Sequence, residues 1–132
     1  MPEFNFESDV RWGDMDAFGH VSNVVYLRYI EDCRADWFSQ AMPKWQATES
    51  GPVVANTNIN YRTPIVWPAR VRTTLKPGEP GRSSLKLNFE IRDADPEKNT
   101  LYADAVVIMV WIDKEKREPV PLPDSIRRVA GN

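Results

Sequence analysis

Hydrophobic and polar positions along this chain follow two different periods, and the change between them divides it. The stretch Val10–Phe38, VRWGDMDAFGHVSNVVYLRYIEDCRADWF, opens with a few apolar residues, turns sharply, and then runs on with helical spacing. Tyr26, Leu27, Ile30, Cys33, Trp37, Phe38 and Ala41 recur at three- and four-residue steps and share one face, the pattern of an amphipathic helix. Arg28, Glu31, Asp32, Ala35 and Asp36 take the other side. Ser22 or Asn23 is placed to act as N-cap, with a side-chain oxygen to accept from an unpaired amide of the first turn. No Glu or Gln follows three residues on, so no capping box is expected. The aromatic side chains make the apolar face broad enough to need a whole sheet against it.

Elsewhere the period is two. After a short leader, Met1–Glu7, residues Ser8–Trp12 read as a first strand running into the turn. Met42–Gly51 reads as a connection. Pro52–Arg62 then alternates, with Ala55, Thr57, Ile59 and Tyr61 on one side and Asn56, Asn58, Asn60 and Arg62 on the other. Ala69–Lys76 sets Val71, Thr73 and Leu75 against Arg70, Arg72 and Thr74, and Ser83–Arg92 turns Leu85, Leu87, Phe89 and Ile91 inward. Pro77–Gly81 between them predicts a hairpin turn. Thr100–Ile112 is apolar on both sides, which predicts a central strand or one covered by a partner subunit. The tail, Pro119–Asn132, predicts a last helical turn capped by Asp124. One strand, a long helix and four strands joined by short turns predict an α+β domain, its antiparallel sheet curled round the helix. The spacing leaves the strand order open.

At 132 residues the chain is read as one domain, 1–132, with enough sequence to bury a core. Lys and Arg number 17 against 19 Asp and Glu, a net charge of −2. This balance excludes nucleic acid and membrane surfaces as bulk partners. The single cysteine, Cys33, excludes an intrachain disulfide and reads as a small core hydrophobe rather than a nucleophile. No signal segment or membrane-length apolar run is present, so a cytoplasmic setting is expected.

Candidate chemistry is concentrated where the first strand meets the helix. Asp14, Asp16, Gly19, the lone histidine His20, Ser22 and Asn23 fall within ten residues, as expected of a site carried on a loop. The run DMDAFGHVSNVVYLRYIE resembles the signature of hotdog-fold acyl-CoA thioesterases of the 4-hydroxybenzoyl-CoA thioesterase type. The family form is roughly D-x-D-x-x-G-H-V-N-N-x-x-Y ahead of a helix. INYRTPI and RSSLKLNFEI resemble later strands of the family, and PVPLPDSIR its close, so the resemblance spans nearly the whole chain in order. Ser22 stands where the family usually has Asn, a change that keeps capping ability. The resemblance implies a hotdog fold, a five-stranded antiparallel sheet wrapped around one long central helix. It also implies a homodimer joined sheet edge to sheet edge, often paired into a tetramer, with active sites between subunits. The implied substrate is an acyl-CoA, with an acyl-carrier-protein thioester as the alternative. No metal and no cofactor beyond the coenzyme A of the substrate are expected.

On this resemblance Asp16 is the catalytic carboxylate, acting as nucleophile or general base. The spacing independently puts it just before the helix N-terminus, where free amides around Val21, Ser22 and Asn23 and the helix dipole suit a developing oxyanion. Asn23, a cap first and a substrate contact second, joins the catalytic set with His20, expected as a hydrogen-bonding neighbour. Gly19 is read as serving backbone conformation or close approach of substrate, and Tyr26 as a substrate contact. Arg62, Arg82 and Ser83 are candidates for the phosphates of coenzyme A. Asp14 is assigned to turn structure, the commoner fate of an Asp ahead of a helix. Glu31, with Asp32, is the rival carboxylate, though both lie on the charged side of the helix. Trp12, Phe18, Trp37, Trp45 and Trp67 line a pocket or fill the core. Two other functions compete: a hotdog hydratase or dehydratase, poorly matched by Asp16 and His20 four residues apart, and an acyl-binding module without turnover.

Overall fold

The computed structural model describes residues 3–131; Met1 and Pro2 of the expected leader and Asn132 of the tail lie outside them. Its elements are β1 (Phe4–Asp9), α1 (Asn23–Ala41), β2 (Ser50–Tyr61), β3 (Arg70–Pro80), β4 (Ser84–Asp93), β5 (Leu101–Asp113) and α2 (Asp124–Gly131). Short 3₁₀ turns occupy Trp12–Asp14 and Trp45–Ala47. The five strands form one sheet in the order β1-β3-β4-β5-β2, every pair antiparallel. The long helix lies across this sheet against β1, β3 and β4. This is the predicted α+β hotdog arrangement.

Burial follows the sequence pattern on α1, β4 and β5. On α1, Tyr26, Tyr29, Ile30, Cys33 and Trp37 are buried. Strand β4 turns Leu85, Leu87, Phe89 and Ile91 toward them, and β5 adds Val107 and Trp111. Each such aliphatic or aromatic side chain contributes about 1.5–3 kcal/mol of transfer free energy on leaving water. Strand β5 lies between β4 and β2, as its two-sided apolar composition predicts. Helix α2 is longer than the single turn expected, and buries Ile126 and Ala130 completely.

Four local expectations are corrected. The first strand is Phe4–Asp9 rather than Ser8–Trp12, and it is defined by its ladder with β3 from Phe4–Leu75 to Asp9–Arg70. The hairpin reversal falls after Gly81 rather than at Pro77–Gly81, because β3 continues to Pro80. Pro77 has no amide to give the ladder, and the register slips between Pro77 and Pro80. Gly78 lets the strands approach there, since a Cβ would stand 3.2 Å from the Lys86 carbonyl oxygen. The Ser22 side chain makes no capping bond; its carbonyl instead accepts from the Val25 amide at 2.9 Å. Finally, β2 buries neither face as expected. Of Ala55, Thr57, Ile59 and Tyr61 only Ile59 is half-buried, and residues 53–58 are all exposed. The strand has one neighbour, β5, and its other edge is open.

Candidate active site

The turn before α1 is built on Asp14, which is 3 % exposed. Its Oδ2 accepts the Arg11 amide at 2.9 Å and the Tyr29 hydroxyl at 2.9 Å, and the Arg11 guanidinium reaches Oδ1 at 3.3 Å. Burial pushes the Asp14 pKa upward, but the Arg11 amide, the Tyr29 hydroxyl and the Arg11 charge outweigh it and hold the carboxyl below its usual range. The Asp14 carbonyl then accepts the Ser22 amide at 2.9 Å. Asp14 is therefore the structural aspartate, tying the turn to the second turn of α1.

Between Met15 and Val21, which pair as an isolated bridge, the chain makes a small hairpin loop. The Asp16 amide donates to the His20 carbonyl at 2.8 Å, and the Gly19 amide to the Asp16 carbonyl at 3.2 Å. Gly19 has a φ of 83°, a left-handed conformation that a residue without Cβ adopts freely. The Asp16 side chain is exposed. Its Oδ1 is held by the Phe18 amide at 2.9 Å and more loosely by the His20 amide at 3.5 Å, while Oδ2 accepts no hydrogen bond among the described residues.

The far wall is the segment after β2. Tyr26 donates its hydroxyl to the Thr63 carbonyl at 3.3 Å and accepts the Ile65 amide at 3.1 Å. Its ring meets Tyr61 edge-on at 5.1 Å, and the Tyr61 hydroxyl donates to the Asn23 carbonyl at 3.3 Å. The open cleft between these walls is about 580 Å³ and is lined by Asp16, His20, Asn23, Tyr61, Arg62 and Thr63, among others. Its volume lies within the range of small-molecule sites. Arg62 forks onto Asp104 at 2.8 and 3.3 Å; with Asn60 on the same carboxylate, these bonds hold the Asp104 pKa low.

Asp16, Gly19, His20, Ser22 and Asn23 are thus gathered at one mouth, with Arg62 across from them. Three expectations change. The Val21 amide is already bonded to the Ile65 carbonyl at 2.8 Å and the Ser22 amide to Asp14, so neither is free for an oxyanion. The amides of Asn23 and Val24, at the start of α1, have no backbone acceptor among the described residues. Tyr26 is buried and spends its hydroxyl on residues 63 and 65, so it shapes the cleft from behind. Arg82 and Ser83 lie at the other end of the sheet. Ser83 takes the Trp111 amide, whereas the cleft hangs from Tyr102 through the amides of Arg62 and Thr63. Nine residues of strand separate these points, about 30 Å at the usual strand rise. Glu31 faces solvent and pairs with Arg34 at 3.6 Å, and Asp32 is exposed too. Of the aromatics, Trp12, Phe18 and Trp67 are exposed, Trp37 is buried, and Trp45 is half-buried. The sequence reading missed Tyr61, Thr63 and Asp104 as parts of the site; INYRTPI was the available signal for the first two.

A long helix embraced by a five-stranded antiparallel sheet, with a polar loop at its mouth, is the arrangement of the hotdog-fold thioesterases. The chain matches the thioesterase-like superfamily over residues 10–129, and it belongs to that superfamily. It is similar to the long-chain acyl-CoA thioesterase FadM of Escherichia coli, 29% identical over 120 residues that cover 89% of each chain. Among solved structures it resembles the PA2801 protein of Pseudomonas aeruginosa, with a TM-score of 0.88 and 34% identity over 96% of each chain. It also resembles a Thermus thermophilus thioesterase solved with coenzyme A and zinc, at a TM-score of 0.82 and 30% identity over 95% of this chain and 89% of that one. The chain is a thioester hydrolase, which sets aside the binding-module and hydratase readings. No helix among the described residues is long and apolar enough to cross a membrane.

Proposed function

We propose that the protein hydrolyses acyl-CoA thioesters to a carboxylic acid and free coenzyme A, with Asp16 as the catalytic carboxylate. One observation carries this reading: Asp16 is clamped through Oδ1 while Oδ2 is left open, beside the unpaired amides that begin α1. Written as general-base catalysis, Asp16 takes a proton from water as its oxygen adds to the thioester carbonyl carbon. The oxyanion is received by the Asn23 and Val24 amides at the positive end of the helix. The carbonyl re-forms, the carbon–sulfur bond breaks, and the thiolate of coenzyme A leaves with the proton held by Asp16. His20 contacts substrate beside it, and Arg62 offers its guanidinium to a phosphate at the cleft rim. The chemistry calls on no cofactor beyond the substrate's own coenzyme A. A cytoplasmic setting goes with the reading, in keeping with a lone buried thiol.

The working unit in this proposal is a homo-oligomer. Strand β2 offers a twelve-residue open edge carrying Val53 and Val54, and α1 exposes Val24 and Leu27. Such an edge is a template for pairing. Antiparallel pairing of β2 with its copy would bring the far end of one chain beside the cleft of the other. That assembly is how Arg82 and Ser83 would reach the phosphates of coenzyme A.

Free-thiol release from short, long and aromatic acyl-CoAs by wild type and Asp16→Asn is the test. The substitution should lower turnover by about 10²–10⁴-fold in a protein that assembles normally. Turnover that survives would transfer the role to Glu31. Absence of release by wild type from every acyl-CoA would overturn the coenzyme A assignment and make a carrier-protein thioester the next substrate to assay.

A further inference from the structure

The start of α1 has no side-chain cap, and a contact from the sheet stands in its place. Ser22 makes no capping bond, and the first turn holds no acidic residue. The Val25 amide is bonded to the Ser22 carbonyl, whereas those of Asn23 and Val24 have no backbone acceptor among the described residues. A helix end of this kind frays unless other groups tie it down.

Tyr61 is such a tie. It is the last residue of β2 and pairs there with Ala103 of β5, a strand flanked on both sides within the sheet. Its ring stands edge-on to that of the buried Tyr26, centroids 5.1 Å apart at 81°, an arrangement aromatic pairs favour. From this fixed ring the hydroxyl donates to the Asn23 carbonyl at 3.3 Å. The side chain is 44 % exposed and lines the cleft together with Asp16 and Asn23.

The choice of acceptor gives the bond its consequence. The Asn23 carbonyl and the Val24 N–H belong to one planar peptide unit. Donation to that carbonyl draws electron density toward its oxygen, and the N–H of the same unit becomes a stronger donor. The bond also fixes the plane of the unit, and with it the direction in which the Val24 N–H points. A carbonyl oxygen has two lone pairs, so the contact with Tyr61 does not compete with a helical bond.

We infer that Tyr61 is a positioning residue for thioester hydrolysis, its hydroxyl orienting and polarising the peptide whose Val24 N–H receives the oxyanion. This role rests on the thioesterase reading and is exerted through the backbone, away from the reacting atoms. The contribution grows as negative charge develops on the substrate oxygen, so it belongs to kcat rather than to KM.

Tyr61→Phe and wild type, both full-length, are compared in free-thiol release from the acyl-CoA that wild type turns over fastest, alongside thermal melts. Loss of one neutral hydrogen bond should lower kcat about two- to tenfold, with KM within about twofold and Tm unchanged. The trifluoromethyl ketone analogue of that acyl-CoA, whose hydrated carbonyl imitates the tetrahedral oxyanion, should bind the variant more weakly by a like factor. The thioether analogue, which has no carbonyl oxygen, should bind both proteins equally. A raised KM at wild-type kcat would overturn the inference, since Tyr61 would then be a substrate contact. Wild-type values of both constants would overturn it as well, and so would a lower kcat with equal losses for the two analogues, which marks a merely structural role. If wild type hydrolyses no acyl-CoA, the thioesterase reading fails by itself. The polarising role of Tyr61 is then read from the amide nitrogen resonance of Val24: a shift in Tyr61→Phe upholds it, and an unmoved resonance overturns it.

Discussion

Taking the hydroxyl from Tyr29 isolates the bond that fixes the turn before α1 to the helix. In Tyr29→Phe the ring keeps its place in the core, and only the 2.9 Å bond to Asp14 Oδ2 is lost. Both residues are 3 % exposed, so water cannot replace the donor. A hydrogen bond to a charged group contributes about 1.5–3 kcal/mol, and Asp14 keeps the Arg11 amide and guanidinium as partners. We expect a loss of about 2 kcal/mol at neutral pH, within that range. The pH dependence follows from the depressed pKa. Asp14 is held below its ordinary 3.8 in the folded state, so its contribution is fully present above the unfolded value and is lost as pH falls through the folded one. The deficit of Tyr29→Phe should therefore shrink below about pH 4, toward the 0.5–1.5 kcal/mol of a neutral bond. Urea unfolding followed by tryptophan fluorescence, at neutral and acid pH with an unchanged m-value, measures both. A deficit below about 0.5 kcal/mol at neutral pH, less than even a neutral bond contributes, would refute the reasoning. So would an equal deficit at both pH values.

Gly19→Ala meets no neighbour within 4 Å, so its penalty comes from the backbone at φ 83°. We expect about 1–2 kcal/mol of destabilisation together with reduced turnover, and a milder effect for Gly19→Asn, read by thermal melts alongside thiol release. Burial, with a smaller push from Asp36 opposed by Arg34, raises the Cys33 thiol to about 12. Ellman's reagent at mildly alkaline pH should consequently find no thiol in the native protein and one after denaturation; rapid native reaction would show that the core around Cys33 opens easily.

What the amino-acid pattern revealed depended on whether a contact repeats along one element or joins distant parts of the chain. Helix α1 and strand β4 were legible because their buried residues repeat over many turns or pleats, and no neighbour is needed to see the period. Pro77 and Gly78 look like a turn in sequence, yet the structure uses them as an irregular strand end beside Lys86. Strand β2 alternates like a half-buried strand but is exposed on both faces over residues 53–58, because alternation alone does not say whether an element of the chain packs on either face. At the site, Asp16, Gly19 and His20 were visible as local crowding of polar groups. The occupied amides of Val21 and Ser22 were not, because the acceptor of one lies 44 residues away at Ile65. Tyr29 escaped notice for a related reason: it lies outside the apolar stripe, and its role depends on Asp14, 15 positions earlier.

The open edge of β2 has a consequence for dosage. If that edge is closed only by a second copy, each chain's cleft is completed by mass action rather than by folding alone. Diluting the enzyme would then reduce output faster than chain number, because separated chains would lack the phosphate contacts proposed for Arg82 and Ser83 as well as some stability. Activity per chain would rise with expression until pairing saturates, so a cell making little of the protein would have almost none of its catalysis.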